Sequence, residues 1–229
     1  MIWAKEQVVG CRFENTPNNE NGDVFTEVGS VAYRDGAYGR EVDFSASGAR
    51  IEMVDENYVG NKIHRAAAVT ISLWAEVTTI APDRQAIISI PNHFPSAGAG
   101  VIMEVRDNNA LEIRSRSRGT LTTTNEALRI QNVFTVGEKY HCVGICDYWN
   151  SRLILYVNGQ EIGMRTGLSW PTSEYSHTTG NTGDPCMIGA HWDGSRHFSG
   201  YIDELNIYRT ALNDSDIQRL YHGMHPLNG

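Results

Sequence analysis

Near the carboxyl end, His191, Trp192 and Asp193, with Arg196 three residues on, group side chains that hold polyhydroxylated ligands. Aromatic rings stack on the apolar faces of sugars, while carboxylates and guanidiniums bond the hydroxyls. Trp149, Trp170 and Tyr175 stand in other loop-like segments. These seven residues are the candidate ligand-binding set. Each tryptophan also has a structural alternative, which is to pin a long loop to the body. Trp74, by contrast, lies mid-strand and reads as core.

Catalysis has a stricter requirement. Retaining glycosidases need two carboxylates about 5–5.5 Å apart. Asp203-Glu204 and Asp55-Glu56 are adjacent pairs, and on a strand they point to opposite faces. The chain carries no Gly-x-Ser-x-Gly, no His-Glu-x-x-His and no phosphate-binding glycine loop. His177, His191 and His197 cluster with Asp184 and Asp193, but loop histidines are ordinarily solvated surface. The reading is therefore of a protein without catalytic residues.

The bulk numbers bound the partners. With 19 basic against 27 acidic residues the formal charge is -8, which argues against nucleic-acid binding through phosphate neutralisation. No stretch reaches the ~18 apolar residues that cross a bilayer. The first residues lack the basic and apolar regions of a secretory signal. This points to a virion protein made in the host cytoplasm, with an extracellular protein as the alternative. Nothing in the 229 residues marks a linker or a repeat, so residues 1–229 read as one domain. Cys142 and Cys146 lie on one face of a strand, about 13 Å apart at ~3.3 Å per residue. That is too far for a disulfide. All four cysteines read as small buried hydrophobes.

The elements that must position these groups are mostly strands. Val8 to Phe13 opens the chain, and Glu14 to Gly29 reads as a polar loop. Short strands follow around Val31, Val42 and Ile51. Val69 to Val77 is the longest alternating run, with Val69, Ile71, Leu73 and Ala75 on one face. Ala86 to Ile90 is nearly continuously apolar, as where both faces are covered. Gly100 to Arg106 and Ala110 to Arg114 form a hairpin through Asp107 to Asn109, and Leu128 to Val133 pairs nearby. Tyr140 to Tyr148 and Arg152 to Val157 form another, and Asn158-Gly159 then turns the chain back. Gly167 to Asp184 is a long loop. Cys186 to Ala190 and Phe198 to Arg209 complete the sheets. Asn213 caps a short helix with Asp214 and Asp216 in its first turn, Ile217, Leu220 and Tyr221 on one face, and Gly223 at its end. Arg114, Arg116 and Arg118 face one way on a strand, either to dock an acidic partner or to keep an edge soluble. About a dozen strands with one helix give an all-β, two-sheet antiparallel sandwich of jelly-roll type.

At Gly200 to Tyr208 and Leu212 to Ile217 the chain resembles the concanavalin A-like lectin/glucanase superfamily, in its laminin-G-like, pentraxin-like branch. There the last strand reads glycine, aliphatic, Asp-Glu-aliphatic-x-aliphatic-Tyr, before a helix beginning Leu-Ser-Asp-x-Glu-Ile. Gly39 to Met53, Val69 to Ala75 and Tyr140 to Gly159 resemble further strands in the same order, from about Val8 to Tyr221. Glucanases of this fold carry Glu-x-Asp-x-x-Glu on one strand, a run this chain lacks. Many members hold one structural calcium through the Asp of the last strand and nearby carbonyls. That resemblance implies Asp203, with Glu14 and Gly48, as the calcium ligands, alongside a reading of Asp203 as a metal-free loop cap.

The sequence thus reads as a non-catalytic binding or structural module, first as a capsid decoration or tail subunit of a virion. The alternative is a carbohydrate-binding, lectin-like module, and a glycoside hydrolase is the least favoured. Its expected partners are capsid or tail subunits, glycans or further copies of itself, with neither nucleic acid nor membrane.

Overall fold

The computed structural model describes residues 7–14, 25–36, 38–53, 59–63, 66–80, 83–92, 98–118, 123–168 and 185–223. In chain order these form β1 (Gln7–Cys11), β2 (Thr26–Val28), β3 (Ala32–Gly36), β4 (Gly39–Asp43), β5 (Arg50–Met53) and a single helical turn, α1 (Val59–Lys62). Next come β6 (Ala68–Val77), β7 (Gln85–Asn92), β8 (Gly98–Arg106), β9 (Ala110–Arg118) and β10 (Thr123–Ile130). The chain continues through β11 (Lys139–Asp147), β12 (Arg152–Val157), β13 (Gln160–Thr166), β14 (Cys186–Ile188), β15 (Gly200–Tyr208) and α2 (Asp214–Tyr221).

The described strands fall into two antiparallel sheets. One has eight strands, ordered β13-β12-β11-β6-β15-β4-β3 with β1 also on β15, and the other has seven, ordered β10-β9-β8-β7-β14-β5-β2. The expected sandwich is therefore present. β6 shows how the sequence builds it. Val69, Ile71, Leu73 and Ala75 face the shared core, and Ser72 and Trp74 face out. Its neighbour β11 sends Cys142 and Cys146 inward, with Gly144 between them. A Cβ at Gly144 would lie 2.9 Å from both Ile113 and Met103 of the opposite sheet, so the bare α-carbon sets the sheet spacing there. All four cysteines are buried and none forms a disulfide, as expected.

Turn chemistry closes the hairpins. Asn158 and Gly159 have φ of 50° and 77° between β12 and β13, and Asn108 and Asn109 have φ of 58° and 53° between β8 and β9. α2 starts on a capping box, with the Asn213 side chain accepting from the Asp216 amide and the Asp216 carboxylate accepting from that of Asn213. Ile217 and Leu220 then dock on Val143, Ile145, Ile154 and Tyr156, covering part of the outer face of the eight-stranded sheet.

Several expectations needed correction. β2 forms inside the stretch read as a polar loop, because pairing with β5 supplies hydrogen bonds that its exposed side chains do not advertise. β10 begins at Thr123 and pairs along β9 from Arg118 to Leu111, earlier than the apolar run Leu128 to Val133 suggested. Trp74 is buried, as expected, but on the outer face of its sheet and not in the core shared by the two sheets, as its phase opposite Leu73 requires. In β15 the phase itself breaks: Ile202, Leu205 and Ile207 all enter the core although their spacing is not even. A bulge between Asp203 and Asn206, with Glu204 at φ 49°, shifts the strand by one residue.

Candidate functional site

The outer face of the seven-stranded sheet is where the expected ligand-binding residues meet other chemistry. After β14 the chain turns through Gly189, at φ 81°, whose added Cβ would fall 2.5 Å from the Phe44 ring. It then lays the 191–196 loop against β7 and β8. The Trp192 amide donates to Ser89 Oγ at 3.2 Å, and the indole packs against Ala86 and Ile102. Ala86, expected to be covered on both faces, is covered by this loop.

Within the loop, Asp193 is occupied. Its Oδ1 accepts from the amide and the hydroxyl of Ser195 at 2.9 and 2.5 Å and lies 2.8 Å from His191 Nδ1. Although burial pushes its carboxyl up, Ser195 and His191 hold it down to about 2. Burial pushes the imidazole of His191 below its ordinary value, with Asp193 opposing. These two residues shape the loop. Arg196, at φ 51°, directs its guanidinium to Glu104 at 3.1 Å.

Glu104 is the centre of an ionic cluster that sequence reasoning missed. It is fully buried, with Arg196 at 3.1 Å, Arg106 and Arg114 each at 3.7 Å, and Arg84 at 4.0 Å. Glu112 stands directly opposite it across β8 and β9, held by Arg114 at 2.5 Å and Arg106 at 3.3 Å. Two carboxylates side by side repel, and the bridging guanidiniums reverse that. Four guanidiniums thus surround two carboxylates, a local surplus of positive charge in a chain of -8. Burial and the other three arginines push the Arg84 guanidinium below its ordinary value. The available signal was alternation: Glu104 and Arg106 share a phase in β8, as do Glu112 and Arg114 in β9. Arg114 therefore serves this cluster. Of Arg116 and Arg118 only the backbone in β9 is described.

Glu104 and Glu112 do face one another, but not across an open groove. Both are buried and clamped by arginine, so neither offers a free acid or nucleophile to a glycosidic bond.

The remaining expected residues lie elsewhere. Trp149 stands on the turn between β11 and β12 of the other sheet, 60% exposed. Trp170 and Tyr175 lie outside the described residues. Of the proposed calcium ligands, Asp203 is buried on the outer face of the eight-stranded sheet. Its Oδ1 accepts from the Glu204 amide at 2.8 Å, and its Oδ2 has no hydrogen-bond partner among the described residues. Burial, with Glu204 beside it, pushes its carboxyl up to about 7. Glu14 closes over Gly39. Gly48 sits in the turn leading to β5, its carbonyl accepting from Arg50 at 3.3 Å. β4 and β15 pair Val42 with Ile202 and Asp43 with Tyr201, so the chain runs away from Asp203 on its way to Gly48. No group of three or more His, Cys, Asp or Glu able to hold a metal ion occurs among the described residues. The orphan oxygen of Asp203 suits a cation, whereas the placement of Gly48 does not.

A second cluster occupies the outer face of the eight-stranded sheet. Trp74 meets Tyr38, His141 and Tyr221 at ring-centroid distances of 5.0, 5.3 and 5.7 Å. His141 Nε2 lies 2.9 Å from Ser72 Oγ. This is not an activated nucleophile. Burial pushes the imidazole down to about 4, and its Nδ1 has no partner among the described residues, hence no carboxylate to orient it. The pair was legible as Ser72 in phase with Trp74, once Trp74 is turned outward.

The receptor-binding domain of botulinum neurotoxin C/D mosaic serotype is similar at a TM-score of 0.70 and 14% identity, over 95% of this chain and 51% of that one. The binding domain of Paraclostridial Mosquitocidal Protein 1 gives 0.67 and 17%, over 95% and 52%. The chain thus spans about half the length of those toxin domains. Domain 4 of AbnA, an extracellular arabinanase from Geobacillus stearothermophilus solved with arabinotriose, gives 0.64 and 20%, over 94% and 98%. At these identities the likeness is one of fold. No curated protein sequence matches the chain. Residues 54–218 match the family model described as the concanavalin A-like lectin/glucanases superfamily, and the chain belongs to that superfamily.

Proposed function

We propose that the chain is a non-catalytic carbohydrate-binding module, and that its site is the outer face of the seven-stranded sheet around Trp192. The observation that carries this reading is the Trp192 Nε1–H, which is buried without a hydrogen-bond partner among the described residues. It lies beside Ile102, one step along the face of β8 from the arginine cluster. A buried donor left unmade costs about 1–3 kcal/mol, and a ligand oxygen would satisfy it. The surplus guanidiniums favour a sugar bearing a carboxylate or sulfate. The fold shared with an arabinanase domain solved with arabinotriose supports a sugar, and that shared with toxin receptor-binding domains supports a binding role.

On a glycan array, acidic glycans should bind. Trp192→Phe keeps a ring and removes the donor, so affinity should fall about three- to tenfold, the worth of one hydrogen bond. Trp192→Ala should abolish the signal while the melting temperature stays within a few degrees. Unchanged binding by both variants would place the site elsewhere.

A second reading, attachment to a virion as a capsid decoration or tail subunit, draws support from the four buried cysteines, none of which is in a disulfide. They suit folding in a reducing compartment. In that case the chain should co-sediment with assembled particles at a fixed stoichiometry, and sedimentation as free chain only would remove this reading.

A further inference from the structure

The aromatic cleft on the opposite sheet has no part in the loop site. It encloses about 190 Å³ and is lined by Tyr38, Ser72, Trp74, His141 and, at the helix end, Gly223. An engineered apolar cavity of about 150 Å³ holds benzene, so this one accepts a single six-membered ring with substituents. Three aromatic residues and a histidine meet here, and each comes from a different element: Tyr38 from the β3–β4 turn, Trp74 from β6, His141 from β11 and Tyr221 from α2. Gly223, at φ 66°, brings the helix terminus to the Tyr38 ring, where an added Cβ would lie 3.4 Å from Cε1. Tyr38 itself remains 40% exposed at the mouth.

The floor is polar and short of one partner. His141 is 1% exposed, and its Nδ1 has no hydrogen bond among the described residues. Its Nε2 shares a hydrogen with Ser72, so Nδ1 donates in one tautomer and accepts in the other. A hydroxyl serves either state, whereas a carboxylate serves only the donor. The charged lining residues, Arg12 and Glu204, are of opposite sign, and Asp203 and Glu204 both act on Tyr38, so the cleft offers no surplus of positive charge to an anionic ligand.

We propose that this cleft is a second binding site, one that takes a single neutral, hydroxyl-bearing six-membered ring, a pyranose unit, stacked against Tyr38 with a hydroxyl on His141 Nδ1. It does not depend on the Trp192 site.

The test uses the full chain and methyl glycosides of glucose, galactose, mannose and N-acetylglucosamine, with indole and N-acetylneuraminic acid as comparators. Saturation-transfer NMR reports the bound ring, and tryptophan fluorescence reports Kd. At least one neutral glycoside should bind at about millimolar Kd, the range of a single-ring ligand. Tyr38→Ala alters an exposed ring and should leave the fold intact while weakening that binding about tenfold, as loss of a stacking partner implies. Ser72→Ala, which releases the imidazole, should weaken it less. Trp192→Ala should leave it unchanged, so failure here and failure at the loop site are distinguishable. The proposal falls if no neutral glycoside binds at tens of millimolar, if Tyr38→Ala binds as the parent does, or if only indole or the acidic sugar binds.

Discussion

Gly200→Ala should cost the fold about 3–5 kcal/mol, a large share of the 5–15 kcal/mol that holds a typical domain together. Gly200 opens β15 and pairs with Val77 at the centre of the eight-stranded sheet. Its carbonyl accepts from the Phe44 amide at 2.9 Å, tying β4 to the same point. A Cβ at this position would lie 2.0 Å from the backbone carbonyl oxygen of Glu76 and 2.8 Å from the Phe198 ring. The ring can turn, but the carbonyl belongs to the neighbouring strand and cannot move without parting the ladder. Gly48→Ala and Gly137→Ala are the controls. Both have φ near 80° and nothing within 4 Å of the new methyl, so they bear only the backbone cost of about 1 kcal/mol. Urea unfolding of the three variants separates steric conflict from backbone preference. A Gly200→Ala midpoint no lower than those of the controls would show that the sheet absorbs the methyl and that the close approach is not limiting.

Asp203→Asn and His141→Gln should tilt the pH dependence of stability in opposite directions. Asp203 has a folded pKa raised from 3.8 to about 7 by burial. The folded protein therefore binds the extra proton, and the contribution of this group to stability is lost as pH rises from about 4 to 7. His141 has a folded pKa lowered from 6.5 to about 4, also by burial. Here the unfolded chain binds the extra proton, and stability is lost as pH falls from about 6.5 to 4. At about 1.4 kcal/mol per tenfold change in proton affinity, each effect reaches a few kcal/mol, and in the parent they largely cancel. Asp203→Asn keeps the acceptor for the Glu204 amide and should stabilise the protein at pH 8. Its stability should then decline on acidification below pH 6.5. His141→Gln should instead gain stability over that range. Asp193 titrates near 2, outside the window. Parallel profiles for parent and variants from pH 4 to 7 would remove the argument. Repeating the parent titration with calcium and with chelator tests the metal proposed at Asp203. A bound cation would hold this carboxylate ionised and raise the melting temperature at neutral pH, whereas identical melts leave Asp203 as a buried cap.

The loop site was partly legible because its residues are neighbours along the chain. His191, Trp192, Asp193 and Arg196 stay together in the fold. What could not be read was their division of labour. Asp193 and His191 fold the loop, while Trp192 and Arg196 reach the sheet. Trp149 looked equivalent by residue type but stands on the other sheet. The Glu104 cluster escaped because its members come from β8, β9, the β14–β15 loop and the segment before β7. No spacing along one strand announces a centre assembled from four segments.

Local rules specified the rest of the architecture. Alternation in β6 and β11, the Asn158-Gly159 turn and the Asn213 cap each act within a few residues, and each is found where it was expected. Sequence alone therefore determined the sandwich, its principal hairpins and its closing helix. Tertiary structure decided the outward turn of Trp74, the bulge at Asp203 and Glu204, and the meeting of Tyr38, His141 and Tyr221 around one ring. The reason is physical. Periodicity assigns a side chain to a face, but only the register between strands distant in sequence decides what it meets there.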